Sequence, residues 1–220
     1  MPWYVNRIVP ESLRRFAMLA DFDSMAASMI LCVYCGTSFG DDPTYLAAAQ
    51  ATATLLAEQG VGIVYGGATV GLMGAVAGAA LAAGGKVIGV MPQALVAREI
   101  AHLGLSEMHV TQTMHERKAR MEQLSDGFLA LPGGPGTLDE MIEQWTWGLL
   151  GIHAKPCGFL NVKGYFDPIE AMTRRMVAEG FLLKQYADML IFTDDPAELL
   201  ERFRAYVAPP PKWALRDEDA

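Results

Sequence analysis

The stretch that most constrains this chain is Leu129-Ala130-Leu131-Pro132-Gly133-Gly134-Pro135-Gly136-Thr137-Leu138-Asp139-Glu140, where an apolar run stops at a glycine-rich turn and restarts with helical spacing. The pattern predicts a strand, an anion-sized loop and a helix start at Thr137. Glycine has no Cβ, so its backbone can approach a ligand closely and take positive φ, and the free N–H groups of a helix start attract phosphate oxygens. The turn therefore reads as a phosphate cradle. A Walker loop would need Lys and Ser/Thr directly after its last glycine, and a dinucleotide loop would read G-x-G-x-x-G; neither fits. Glu140 lies within about one helical turn of the cradle, where a carboxylate can touch whatever the phosphate is attached to. A structural role competes with this one, because Thr137 and Glu140, three residues apart, also have the spacing of a helix-capping box.

From Met29 onward, short apolar runs alternate with helical segments. A strand over 29–35 turns at Gly36-Thr37-Ser38 into a helix over 45–58, with Asp41 or Asp42 as its cap and Pro43 in its first turn. A second strand over 61–65 runs into Gly66-Gly67-Ala68-Thr69-Val70-Gly71-Leu72-Met73-Gly74, a second glycine-rich turn before a small-residue helix over 75–83. Close helix-on-sheet packing accounts for part of this loop, and Gly66, Gly67, Gly71, Met73 and Gly74 are its candidates for facing a ligand. A strand over 86–91 precedes a short helical turn over 95–100 that carries Glu99, and a weak strand closes at Val110. The helix over 114–121 places Arg117, Lys118 and Arg120 within four positions. Met114, Met121 and Leu124 mark its inward face, and Arg117 stands at the border of that face, positioned to enter a cleft. Helices over 137–150, 166–179 and 198–206 and strands over 156–160 and 188–192 complete the pattern.

About seven short β runs alternating with helices predict an α/β fold, a parallel sheet of about seven strands with helices on both faces. In such a sheet the ligand crevice lies beyond the carboxyl ends of the strands, at the point where strand order reverses. The turns 36–38, 66–74 and 132–137 all run from strand to helix, so they gather on one edge.

A chain of 220 residues with 52% hydrophobic content needs one domain. A net charge of -8 argues against nucleic acid and anionic membranes as partners and leaves room for a local basic site. Three cysteines and no signal peptide fit a reducing cytoplasm. Cys32 and Cys35 form C-x-x-C inside a strand with no second pair for zinc, and read as buried packing residues. The four histidines lack ligand spacing, so no metal is expected. Residues 1–28 stand apart as an N-terminal extension whose apolar patch, Phe16 to Ala20, is too short to span a membrane. The domain occupies 29–208, and 209–220 form a Pro-rich tail. Trp145 and Trp147 offer an apolar wall or a dimer contact, with core packing expected for at least one.

With these motifs in place, the chain from Ile30 to Tyr206 resembles the LOG ("lonely guy") family of cytokinin-activating phosphoribohydrolases, whose members are often labelled lysine decarboxylases. The likeness lies in Cys35-Gly36-Thr37-Ser38, Tyr65-Gly66-Gly67 with Gly71-Leu72-Met73-Gly74, Met114-His115-Glu116-Arg117-Lys118, the signature P-G-G-x-G-T-x-x-E over 132–140, and Trp147 through His153-Ala154-Lys155-Pro156. A decarboxylase would need a pyridoxal phosphate lysine, which no motif places. The resemblance implies a Rossmann-like three-layer fold and hydrolysis of the N-glycosidic bond of nucleoside 5'-monophosphates. Substrates would be cytokinin riboside 5'-monophosphates (N6-substituted AMP) and AMP, giving free base and ribose 5-phosphate without metal or organic cofactor. It further implies a homodimer or a higher homo-oligomer. By matching motif, Arg117 and Glu140 would be the catalytic pair. Substrate contacts would come from Glu99, Arg117, Lys118, Gly134, Pro135, Gly136, Thr137, Leu138, Asp139, Glu140 and Thr146. The sequence departs from the usual pattern at Pro135, which removes one N–H from the cradle. A non-hydrolytic nucleotide or molybdenum-cofactor carrier on the same fold is the alternative.

Overall fold

A computed structural model describes residues 29–96, 102 and 104–214. Seven strands alternate with helices: β1 (Ile30–Tyr34), α1 (Pro43–Glu58), β2 (Gly62–Tyr65), α2 (Gly71–Ala82), β3 (Val87–Pro92), α3 (Gln93–Val96), β4 (Glu107–Thr111) and α4 (Met114–Gln123). There follow β5 (Gly127–Ala130), α5 (Pro135–Leu149), β6 (Cys157–Leu160), a 3₁₀ turn (Val162–Gly164), α6 (Asp167–Ala178), α7 (Lys184–Ala187), β7 (Leu190–Thr193) and α8 (Pro196–Arg204). The strands form one sheet in the order β4-β3-β2-β1-β5-β6-β7, every neighbouring pair parallel.

Most strand residues are apolar on both faces because each face is covered. Leu31, Val33, Ile63, Tyr65, Val87 and Leu129 point into one core, packed by Ala49, Ala53 and Leu56 of α1, Val76, Ala77 and Ala80 of α2, and Leu199, Leu200 and Phe203 of α8. Their alternates Cys32, Tyr34, Val64, Ile88, Val90 and Phe128 point into the other, packed by Met121 of α4, Met141 and Trp145 of α5, and Phe166 and Tyr186. The result is the expected Rossmann-like, three-layer arrangement. Cys32 and Cys35 fall into opposite cores and, with Cys157, are unpaired and buried. Trp145 is a core residue whose Nε1 donates to Tyr186 O at 2.9 Å. Trp147 is half-buried.

The boundaries differ from the sequence reading in instructive places. α1 starts at Pro43, capped by Asp42, whose Oδ1 accepts from Thr44 N at 2.9 Å. α2 absorbs Gly71 to Gly74 into its first turn. The short helix α7 was not foreseen. The described part of the tail packs on the domain, with Lys212 N donating to Leu149 O at 3.1 Å and Tyr186 Oη to Pro210 O at 3.2 Å. The expected extension over 1–28 lies outside the described residues. No helix among the described residues is long and apolar enough to cross a membrane.

Strand order reverses between β1 and β5. The chain steps outward from β1 to β4, then returns to β1's other edge to lay down β5. The loops after β1 and β5 therefore meet at the carboxyl edge, where Gly36 N donates to Pro132 O at 3.0 Å. The loop after β2 joins them, with Leu72 N donating to Gly36 O at 3.1 Å.

Candidate active site

A cavity of about 340 Å³ opens at this switch point, lined by Tyr34, Cys35, Gly36, Thr37, Gly66, Met73, Leu95, Arg117, Gly134, Pro135, Gly136, Thr137 and Glu140, with Val33 beneath. It joins the glycine-rich turn expected to hold a phosphate to the two residues expected to be catalytic.

Pro135 sets where α5 begins. It occupies the first helical turn, and Gly134 is the N-cap in extended conformation. Proline suits this position because its φ is already helical and its missing N–H would have had no partner inside the helix. The helix thus starts two residues before the expected Thr137, which lies within the first turn, buried at 4% exposure. The capping box over Thr137 and Glu140 is not formed: no side chain caps α5, and Glu140 turns to Arg117. Pro135 has no N–H and Thr137 N donates to Gly134 O at 3.1 Å, which leaves the N–H groups of the cavity-lining Gly134 and Gly136, a kind of group that binds anions at a helix start.

Arg117 is placed by α4. Thr113 caps that helix, its Oγ1 accepting from Glu116 N at 3.1 Å, while Glu116 Oε2 accepts from Gln112 N at 2.8 Å. One residue later, the Arg117 side chain donates from Nε to Val90 O of β3 at 3.0 Å and from Nη1 to Glu140 Oε1 at 2.9 Å. Both side chains are largely covered, at 11% and 14% exposure. Burial raises the Glu140 carboxyl above its usual range, and the positive charges of Arg117 and Lys118 act in the opposite direction. The outcome is a carboxylate of heightened basicity, held by one guanidinium, at the wall of an otherwise weakly charged cavity.

The other expected site residues divide. Gly134, Pro135, Gly136 and Thr137 line the cavity. Gly66 and Met73 line it too, whereas Gly67, Gly71 and Gly74 serve packing: a Cβ at Gly71 would stand 2.2 Å from Thr37 C, and one at Gly74 would stand 2.1 Å from Thr69 O. Leu138 packs into the second core. Lys118 is held by two carboxylates of α5, donating to Asp139 Oδ2 at 3.0 Å and Glu143 Oε1 at 3.2 Å. Burial disfavours its ammonium, but these hydrogen bonds outweigh that and raise its pKa. Thr146 is exposed, about two and a half helical turns beyond Thr137, and donates to Ile142 O of its own helix at 2.7 Å. Glu99 lies outside the described residues. Among the described residues, no group of three His, Cys, Asp or Glu side chains is gathered as a metal site would require.

Sequence reasoning missed Tyr165, whose hydroxyl donates to Gly133 O at 2.7 Å, and the Val90 carbonyl that holds Arg117. Topology held a signal for Tyr165, since it follows β6 at the edge where the other loops gather. A second cavity of about 280 Å³, bounded by Phe39, Tyr45 and Tyr165, adjoins the first along Gly36, Thr37 and Gly134.

Fold and site together define a Rossmann-like α/β protein with a glycine-rich helix start and a largely buried arginine–glutamate pair at its switch point. Solved structures with this fold include the molybdenum cofactor binding protein of Rippkaea orientalis, with a TM-score of 0.62 at 20% identity over 82% of this chain and 98% of that one. The molybdenum cofactor carrier protein of Chlamydomonas reinhardtii gives a TM-score of 0.61 at 20% identity over 81% and 99%. At that identity the likeness is one of fold. Sequence comparison goes further. Residues 73–203 match the family described as "Possible lysine decarboxylase". The chain is 40% identical over 193 residues to the probable cytokinin riboside 5'-monophosphate phosphoribohydrolase LOGL1 of Oryza sativa subsp. japonica, covering 85% of this chain and 86% of that protein. It is 42% identical over 177 residues to LOG of the same plant and 41% identical over 177 residues to LOG2 of Arabidopsis thaliana, covering 80% of this chain in each case and 73% and 83% of those proteins. Both are named cytokinin riboside 5'-monophosphate phosphoribohydrolases. The chain belongs to the LOG family.

Proposed function

We propose that this protein hydrolyses the N-glycosidic bond of cytokinin riboside 5'-monophosphates, and of AMP, to free base and ribose 5-phosphate. The observation that carries the reading is the Arg117–Glu140 pair on the wall of the cavity that also receives the open N-terminus of α5. The helix N-terminus takes the 5'-phosphate through the backbone N–H groups of Gly134 and Gly136, Thr137 N being held by Gly134 O. The ribose then lies toward Glu140, one turn along the same helix.

Cleavage adds water oxygen to the anomeric carbon, breaks the bond from that carbon to the base nitrogen, and leaves the bonding electron pair on the base, which takes up a proton. Positive charge develops on the sugar as the bond breaks, and an ionised Glu140 stabilises it more in the transition state than in the ground state. As water adds, the same carboxylate accepts its proton, a task for which a raised pKa suits it. Arg117 stays protonated and fixes the carboxylate in place. Lys118 ties Asp139 and Glu143 of α5 to α4, and so holds the two helices in register around the pair. The three unpaired cysteines fit a cytoplasmic setting, and the family resemblance supports a homodimer or a higher homo-oligomer.

The test is incubation of the metal-free protein with AMP and with isopentenyladenosine monophosphate, following free base by chromatography, alongside Glu140→Gln. Base released by the native protein and lost in the variant is the expected result. Binding of either nucleotide without base release would favour a carrier instead.

A further inference from the structure

The peptide joining Gly133 to Gly134 has glycine on both sides, so its own side chains do not stop it from flipping. A hydrogen bond from outside the loop holds it. Tyr165, just after the 3₁₀ turn that follows β6, donates its hydroxyl to Gly133 O at 2.7 Å. In a planar trans peptide the C=O and N–H of one unit point in opposite directions. With the carbonyl turned to Tyr165, the Gly134 N–H is turned away from it, and among the described residues that N–H donates to no acceptor. Gly134 lines both cavities at the switch point, whereas Tyr165 lines only the aromatic one. The hydroxyl and the amide therefore lie on opposite sides of one peptide, whose Gly134 lines the cavity that holds Glu140.

The placement of Tyr165 is built at a cost. Lys163, two residues earlier, has φ 55, the one positive φ at a non-glycine among the described residues, and left-handed backbone is disfavoured for L side chains. Its ammonium is bound by the carboxylate of Asp42, the residue that caps α1. The Tyr165 ring packs edge-on against Tyr45 at 5.7 Å and Phe166 at 5.0 Å. Strained backbone persists where surrounding contacts over-determine it, and such places cluster at functional sites.

We infer that Tyr165 is a positioning residue for phosphate binding: its hydroxyl latches the Gly133–Gly134 peptide so that Gly134 N–H faces the substrate phosphate. The inference rests on the nucleotide reading above. The hydrogen bond acts on the ground state and the transition state alike, so its loss raises KM and leaves kcat in place.

The test compares Tyr165→Phe with the native protein. The ring contacts remain, so the melting temperature should hold while KM for AMP rises about tenfold, the effect of one such hydrogen bond. Calorimetric affinity for ribose 5-phosphate should fall by the same factor. That second readout needs no turnover, so it still judges the latch if the protein proves not to hydrolyse nucleotides. Equal ribose 5-phosphate affinity in the two proteins, including no binding by either, would overturn the inference, as would a fall in kcat at unchanged KM.

Discussion

A Cβ on Gly66 would stand 2.2 Å from Arg117 Nη2 and 2.3 Å from Met73 Cε, so the end of β2 must be glycine for the guanidinium to lie between Val90 O and Glu140. Gly66→Ala should move Arg117 and the flexible tip of Met73 at the edge of the first core. A displacement of about 1 Å at such a group costs on the order of a hundredfold in turnover. The expected outcome is that loss in kcat, with a cooperative thermal transition retained, measured by base release and calorimetry on the same sample.

The acid limb of the pH profile should report Glu140. Its carboxyl is raised above the ordinary 4.5 by burial, so the ionised form is lost earlier as pH falls, and kcat/KM should decline from a pH above that value. Arg117→Gln removes a positive charge that opposes the shift and should move the limb further up. Stability has the reverse sign. The folded state holds its proton over the window between 4.5 and the raised value, so the stability this group contributes is lost as pH rises through that window. A kcat/KM profile flat down to pH 4.5 would remove ionised Glu140 from the mechanism.

Lys118 offers a different displacement of the same limb. Its ammonium lowers the Glu140 pKa, while Asp139 raises it. Lys118→Met should therefore shift the limb upward at nearly unchanged KM. A large rise in KM with the limb fixed would instead mean that Lys118 touches the phosphate.

Removing either partner of the Arg117–Glu140 pair strands a covered charge. Arg117→Leu and Glu140→Leu should each destabilise by about 2 kcal/mol, and the double variant by less than their sum. Urea unfolding of the four proteins gives the coupling directly.

At the start of α4, Thr113→Ala deletes the cap that Glu116 N bonds to. A loss of about 1 kcal/mol in urea unfolding is expected.

Much of this molecule was legible in its sequence. The alternation of apolar runs and helical spacing fixed a parallel, two-faced sheet, because strands covered on both sides must be apolar at nearly every position. That topology puts the glycine turns on one edge. Arg117, expected at the border of the apolar face of its helix, lines the cavity, while Met114 of that face is exposed. Pro135, read from the sequence only as a missing N–H, also starts α5 two positions before the expected Thr137.

What the sequence left open is clearest in a pattern it uses twice. Thr113-x-x-Glu116 and Thr137-x-x-Glu140 have the same capping spacing. Only the first caps its helix; in the second, Thr137 is buried inside a turn that Pro135 began, and Glu140 meets Arg117 from 23 residues away. Lys118 and Tyr165 tell the same story, since their partners Glu143 and Gly133 lie 25 and 32 residues distant. Periodicity and turn chemistry act between near neighbours, so the chain alone determined its elements and their order. Which carboxylate caps, which faces the cavity and which merely pairs depends on charges and carbonyls brought together across the sheet edge, and only the tertiary structure decided that.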